Sequence, residues 1–463
     1  MSEDEPAIHR RPMRPRARAN KKPSPRRTGH QGRGRTSRAT PAPQHGRGGP
    51  GRANPGRWAA ASASVEVEQG AHLEDVLPPL LPDAPIDRGL AWFLAMAVQR
   101  TLLSTDAAIQ AHLRQPVYEL EPAVRATLRV GAVELLHGRA KRYAVVSQAV
   151  EVARALGVGR ASGLVNAVLR RVEPVEELAP WLALDHPAWL VARWEERFGE
   201  AATRAWCLAN QKPAPLAIVG RGDGARLAQL MEGAGIEAAA ASLFDEALPG
   251  VFRLSWEGRV EHLPGFEEGA FWVQDPASVL MADLIDVSPG DQVLDACAAP
   301  GGKSFRLASR GARVLAVDRS PRRLKTLSEA AARLRLSIGT QTHDWLDGPI
   351  DGLPAADSVL IDAPCTGLGT LRRRPEIRWR RQPGDLEQSA ERQAVILKHA
   401  SAHVKEGGQL AYVVCSAEPE EGPDVVHAFL EQHPTFTLRK ERSTAPPSND
   451  EDAFYGALLV KNA

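Results

Sequence analysis

Between Gln292 and Ser304 the chain reads QVLDACAAPGGKS. Gln292–Leu294 is a short apolar run that predicts a strand, and Asp295 stands at its carboxyl end. Ala298–Gly302 form a turn of small residues, and a helical pattern runs from Lys303 to Ser309. A strand, a small-residue turn and a helix build a nucleotide pocket in an open α/β sheet, where ligands sit outside the carboxyl ends of parallel strands. Small residues let the backbone come close to such a ligand.

Four more apolar runs lie downstream: Arg313–Val317, Ser337–Thr342, Ser358–Ile361 and Gln409–Val414. Helical patterns such as Pro321–Leu334 and Leu386–Val404 separate them. This alternation predicts a mostly parallel sheet covered on both faces. Phe436–Leu438 and Phe454–Val460 supply two later strands. The successive strand ends carry Asp295, Asp318, Asp344, Asp362 and Cys415. One Asp after a strand is ordinarily a cap for the next helix. Four carboxylates and a thiol in series are more than capping requires, and they predict one crevice.

Asp318 follows Asp295 by 23 residues, near the spacing at which an acid accepts from a ribose. The turn has no G-x-G-x-x-G, so no pyrophosphate cradle is evident and NAD is disfavoured. A nucleoside ligand without phosphates suits the turn better. S-adenosylmethionine fits, with its ribose at Asp318, an adenine edge at Asp344, and a sulfonium that acids tolerate.

The 463 residues are enough for two or more domains, and at 43% hydrophobic they can fill real cores. Residues 1–60 hold 15 Lys or Arg against three acids, while the remainder holds 43 basic and 53 acidic residues. The tail is rich in Arg, Pro and Gly, lacks apolar periodicity and is expected to be disordered. It is either an electrostatic arm for nucleic acid or a solvated tail without a dedicated role. Cys207, Cys297, Cys365 and Cys415 show no Cys-x-x-Cys spacing, so no metal site is expected. They read as thiols of a reducing cytoplasm. No run approaches the roughly 18 apolar residues that span a bilayer.

From Ile86 to about residue 175 the pattern is helical, with Ala91, Leu94, Ala95 and Val98 on one face. Residues 180–270 read as a helical pair broken at Gly199, followed by a small α+β insert. The catalytic domain is placed at 271–463. Trp189, Trp194 and Phe198 are expected to be core residues, and Cys207 an inert buried thiol.

Five stretches carry a resemblance. DACAAPGGK, DAPCTGLGTLRRRPEIRW (Asp362–Trp379) and YVVCSAEPEE (Tyr412–Glu421) look like the motifs of RNA cytosine-5 methyltransferases. AVRATLRVGAVELLHG (Ala123–Gly138) and GLVNAVLRRV (Gly163–Val172) resemble the RNA-binding NusB-like domain. Together they resemble the bacterial small-subunit rRNA cytosine-5 methyltransferase family. The resemblance implies an α/β, Rossmann-like class I methyltransferase domain behind an all-α NusB-like domain and the small insert. It also implies S-adenosylmethionine as cofactor and RNA, most simply rRNA, as partner. A cytoplasmic monomer without metal or membrane association is expected.

By the same resemblance Cys415 attacks cytosine C6, Cys365 assists product release and Asp362 faces N3. The swap of the two cysteines is the alternative. Cys297, Ala298, Ala299, Pro300, Gly301, Gly302, Lys303, Asp318, Asp344 and Asp362 are the expected cofactor contacts. Lys303 is either a helix-start residue or a pocket residue. Arg372, Arg373, Arg374 and Arg378, with Arg380 and Arg381, are expected to hold RNA phosphates. Val414, where Ser or Thr is usual, and Ala453, where Gly is usual, depart from the family pattern. So does the strand LAIVG (Leu216–Gly220), which lacks the Arg-Val-Asn ending. A tRNA substrate and a non-catalytic RNA-binding assembly factor are the competing functions.

Overall fold

A computed structural model describes residues 49–463 apart from 223, 257 and 447–449. The expectation of a disordered tail therefore lies, over residues 1–48, outside the described residues. At its end it is corrected. Pro55–Glu68 is a helix, capped by the Asn54 side chain accepting from the Arg57 N–H, so the helical domain begins there and not at Ile86. Its buried face is Ala59, Ala60, Ala61, Ala63 and Val67. Small side chains carry almost no large-residue periodicity, but they let helices approach closely, which is how this one packs.

The helical domain surrounds Pro122–His137, flanked by Pro85–Arg100, Leu102–Gln110, Arg142–Ala155 and Ser162–Leu169. Ala91, Leu94, Ala95 and Val98 are buried, as their spacing predicts. Gly131 lets two helices touch: a Cβ there would lie 2.5 Å from a Leu169 methyl. Buried charges are paired, Arg57 with Glu134 at 2.5 Å, Arg125 with Glu68 at 2.5 Å and Arg129 with Asp106 at 2.5 Å.

The helices Ala188–Phe198 and Glu200–Asn210 turn at Gly199, whose φ of 82° favours glycine. Trp194 stacks on Trp206 at 3.8 Å between centroids. The pair forms a core with Leu368, Leu371, Ile377 and Ala417 of the catalytic domain. Cys207 is buried within that core, and its burial pushes the thiol up to about 12.

The insert is an antiparallel sheet of β1 (Leu216–Gly220), β2 (Ala238–Leu243), β3 (Glu246–Leu254) and β4 (Phe271–Val273), in the order β2-β3-β1-β4. Phe271 therefore opens the last strand of the insert rather than the catalytic domain. Val219 pairs with Trp272, and Gln274 N–H still donates to Ala217 O.

The main sheet contains β5 (Gln292–Asp295), β6 (Arg313–Asp318), β7 (Ile338–Thr342), β8 (Ala356–Asp362), β9 (Val404–Val414), β10 (Phe436–Ser443) and β11 (Tyr455–Lys461). Their order is β10-β11-β9-β8-β5-β6-β7. β7, β6, β5, β8 and β9 are parallel, and β11 and β10 add antiparallel strands at one edge. Apolar layers cover both faces. Strand order reverses direction between β5 and β8, the switch point at which such sheets open a crevice.

Candidate active site

Asp295 ends β5, fully buried. Its Oδ2 accepts from the Ser304 hydroxyl at 2.6 Å, while its Oδ1 is buried with no protein donor. Burial pushes the group up to about 7, reinforced by Asp362 and Asp318 and opposed by Ser304 and Lys303.

The turn after β5 is tied to the end of β6. Ala298 N–H donates to Val317 O at 2.9 Å, and Ala299 N–H donates to Asp318 Oδ2 at 3.2 Å. Arg323 donates to Ala299 O at 2.5 Å. After Pro300, Gly301 has φ 115°, and a Cβ on it would lie 2.5 Å from the Phe305 ring. A Cβ on Gly302 would lie 3.1 Å from the Gln274 amide carbon. Asp318 Oδ1 also accepts from Ser320 N–H at 2.8 Å. Each carboxylate oxygen has a second lone pair, so Asp318 keeps capacity for a ligand hydroxyl. Asp344 lies beyond β7 and its Oδ1 accepts from Leu346 N–H at 3.1 Å.

Lys303 stands at a helix start and also faces Asp362. It is the second residue of Gly302–Ser309, 6% exposed, with its Nζ 2.7 Å from Asp362 Oδ2 and 5.0 Å from the centroid of the Phe454 ring. Cys297 is pushed well above the ordinary thiol range by burial and by Asp295, Asp362 and Asp318, which leaves it a packing thiol.

Register pairs Asp362 with Val413, so Asp362 and Cys415 stand at the ends of adjacent parallel strands. Cys365, three residues past β8, brings its Sγ to 3.3 Å from Cys415 Sγ. Its thiol is held far above the ordinary range, first by the hydrogen bond to Cys415, then by burial, then by the charges of Cys415 and Glu421. In this contact either sulfur can be the donor. Val414 is buried in the sheet core. Ala453 packs on Gly369, where a Cβ would lie 1.9 Å from Ala453 O.

The arginine run does not stand as a phosphate-binding face. Arg378 is fully buried and donates to the main-chain oxygens of Asp185 at 2.9 Å, Leu371 at 3.0 Å and Asn210 at 3.2 Å. Arg372 donates to Pro213 O at 2.9 Å and pairs with Asp450. Arg373 pairs with Asp275 at 2.6 Å and Asp452 at 3.2 Å. Arg374, nearly half exposed, reaches Glu74 of the helical domain at 3.1 Å. Arg380 donates to His72 Nδ1 at 3.0 Å, and Arg381 to Thr366 O at 2.8 Å. Arg378, Arg372 and Arg373 are thus corrected from RNA contacts to fasteners between the helical pair, the insert and the catalytic sheet. Their partners come from distant parts of the chain, which a local charge run cannot reveal. Arg378→Ala should lower stability by about 3 kcal/mol or more, since it strands several buried carbonyls. Salt titration of RNA binding by the folded protein should show an unchanged slope, whereas losing a phosphate contact lowers it by about one.

By the resemblance Gln274 and Asp275, in FWVQDPAS, belong to a segment that packs near the cofactor, with no role assigned. Asp275 caps the helix Pro276–Ala282 through Ala277 N–H at 2.8 Å while holding Arg373. Gln274 accepts from Trp272 Nε1 at 2.7 Å beside the turn at Gly302. Glu421, to which the sequence gives no role, lies buried behind the two cysteines.

Sheet order, strand-end acids and the preceding helical bundle define a Rossmann-like methyltransferase joined to a NusB-like domain. Residues 282–459 match the model for 16S rRNA methyltransferase RsmB/F, residues 57–174 the NusB family, and residues 186–249 a ferredoxin-like domain of RsmF/B-like methyltransferases. Ribosomal RNA small subunit methyltransferase B of Serratia proteamaculans is 34% identical over 427 residues, covering 87% of this chain and 97% of that protein. Its namesake from Yersinia pestis is 33% identical with the same coverage. The chain belongs to the 16S rRNA methyltransferase RsmB/F family. The solved structure of PH0851 shares the fold, with a TM-score of 0.75 at 23% identity over 88% of this chain and 99% of that one. NSun6 from Pyrococcus horikoshii with SFG gives 0.52 at 18% identity over 60% and 98%.

Proposed function

We propose that the protein transfers a methyl group from S-adenosylmethionine to C5 of a cytosine in small-subunit rRNA, through a covalent bond between Cys415 and C6. The observation that carries this reading is the pair of sulfurs 3.3 Å apart beside the Lys303–Asp362 pair.

The cofactor pocket has an orphaned acceptor suited to the donor. Asp295 Oδ1 is buried and unpaired, and an amino group satisfies it. Asp318 offers lone pairs to ribose hydroxyls, and the close turn at Gly301 and Gly302 admits a ligand against the backbone. When bound, the donor supplies an electrophilic methyl carbon, to which C5 bonds. Because Asp295 is protonated below about 7, its carboxylate forms as pH rises. Donor affinity should therefore strengthen between pH 6 and 7.5, by up to about tenfold per pH unit below the midpoint. Calorimetric titration of wild type against Asp295→Asn checks this, with the variant losing the dependence. Lys303, Asp362 and Asp318 face the same carboxyl and stay in place in both proteins.

Cytosine C5 is a weak nucleophile. Addition of the Cys415 thiolate to C6 moves electron density to C5, dividing one hard step into easier ones. The Lys303 ammonium and Asp362 carboxylate present a donor and an acceptor together where the ring accumulates charge near N3. After alkylation the C5 proton passes to a base. The C5–H electron pair restores the C5–C6 double bond, and the C6–S bond breaks back to the Cys415 thiolate. The Cys365 thiol, 3.3 Å from that sulfur, donates to it as it leaves. The target base must be single-stranded or turned out of its stack.

The helical domain supports an RNA partner. A groove of about 620 Å³ is lined by Arg142, Arg154, Arg170, Asn166, Tyr143 and Glu151, with Arg154 paired to Glu151, Arg142 paired to Glu173, and Tyr143 74% exposed. Cations with an exposed ring suit phosphates and a stacked base. Bisulfite sequencing of rRNA and tRNA from a deletion strain tests the assignment. Loss of one 5-methylcytosine in small-subunit rRNA is expected. Loss confined to tRNA favours the other substrate, and no loss in either contradicts the function.

A further inference from the structure

We propose that Glu421 is a positioning residue of the release step, bracing the turn that carries Cys365 against the loop that carries Cys415. The inference rests on the cysteine roles above.

Glu421 follows Cys415 by six residues and has no exposed surface. Its Oε1 accepts from Thr366 N–H at 2.7 Å, and its Oε2 from the Thr366 hydroxyl at 2.5 Å. Gln393 donates to Glu421 Oε1 at 3.2 Å and to Pro364 O at 3.0 Å. The residues on both sides of Cys365 are thus held by one network. The main-chain oxygen of Glu421 accepts from the Tyr412 hydroxyl at 2.6 Å, which fixes the loop to β9.

Among the described residues no Lys, Arg or His forms an ion pair with this carboxylate. A buried carboxylate supported only by neutral donors is costly, and burial accordingly raises Glu421 above the ordinary carboxylate range. The side chain gathers both donors of Thr366, Gln393 and Ser416, so the turn is fixed in more than one direction. The groups facing Cys365 are Cys415, Glu421 and Tyr412. With the turn fixed, the Cys365 thiol stays within reach of the Cys415 sulfur. At release the C6–S electron pair returns to Cys415, the C5 proton goes to the base, and no other reagent is needed.

The test compares Glu421→Ala, Glu421→Gln and Thr366→Val on unmethylated 16S rRNA from a deletion strain. Single-turnover methyl transfer, steady-state kcat and the protein–RNA adduct on denaturing gels are measured. Glu421→Ala should lower kcat about tenfold or more while changing the single-turnover rate by less than about threefold, and the adduct should accumulate. Glu421→Gln keeps the shape and most of the bonds, and should recover kcat to within about threefold of wild type. Equal losses in both rates without adduct would overturn the proposal. If Glu421→Ala does not fold, Thr366→Val must show the same split in smaller measure, and its absence overturns the proposal equally. Failure of the cysteine roles themselves reads differently: Cys365→Ala then gives no adduct either.

Discussion

Replacing Cys365 with alanine should leave the enzyme covalently attached to its RNA. Cys415 keeps its place at the end of β9, so addition to C6 and the first methylation proceed. The 3.3 Å sulfur contact is what disappears. Without the neighbouring S–H, the thiolate leaving C6 loses its hydrogen-bond donor, and the adduct drains slowly. Removing a group of this kind costs about 10²–10³ in turnover. A denaturing gel should show a protein–RNA species that survives heating, and steady-state methylation should fall while the first turnover remains. Cys415→Ala gives the opposite pattern, with no adduct and methylation reduced about 10⁴-fold or more. A variant lacking Cys415 that still methylates would remove the nucleophile from this site.

Replacing Lys303 with methionine should lower kcat by about 10²–10³, the usual loss for a preorganised donor at a developing charge. The ammonium is buried, bonded to Asp362 at 2.7 Å and close to Asp295. Methionine preserves the stem that lies over Phe454 but removes the charge. Asp362 then faces the pyrimidine without its cation, and the ring's developing charge meets a carboxylate alone. Binding of RNA to the variant should be unchanged within about threefold, because the lost contact acts on the transition state. Rapid-quench methyl transfer with saturating donor checks this, and a rate within fivefold of wild type contradicts it.

The catalytic sheet was legible because each strand is an apolar run ended by one polar residue. β5, β6, β8 and β9 carry Asp295, Asp318, Asp362 and Cys415 at or just beyond their ends, where the spacing put them. β2 was not legible: AAAASL has low strand propensity and forms only because β3 pairs along it. The helix Pro55–Glu68 hid for a related reason, since its contacts are made by alanines. The boundary at Phe271 was misplaced because β4 is three residues long and belongs by pairing to β1.

The candidate site divided along the same line. Residues whose role follows from standing at a strand end were found. Residues whose role depends on a partner far away in sequence were not. Arg378 read as one of a basic run holding RNA phosphates, yet its partners at Asp185 and Asn210 lie more than 160 residues upstream. Glu421 looked like one acid among three in EPEE, yet its partners Thr366 and Gln393 lie 55 and 28 residues upstream.

The most direct test uses an RNA carrying 5-fluorocytidine. Fluorine at C5 cannot depart as a proton does, so the methylated adduct persists. After incubation with donor, protease digestion and tandem mass spectrometry identify the modified peptide. A methylated fluoropyrimidine on Cys415 is the predicted result. The nucleotide on Cys365, or no cysteine adduct despite methylation of ordinary RNA, would contradict the account.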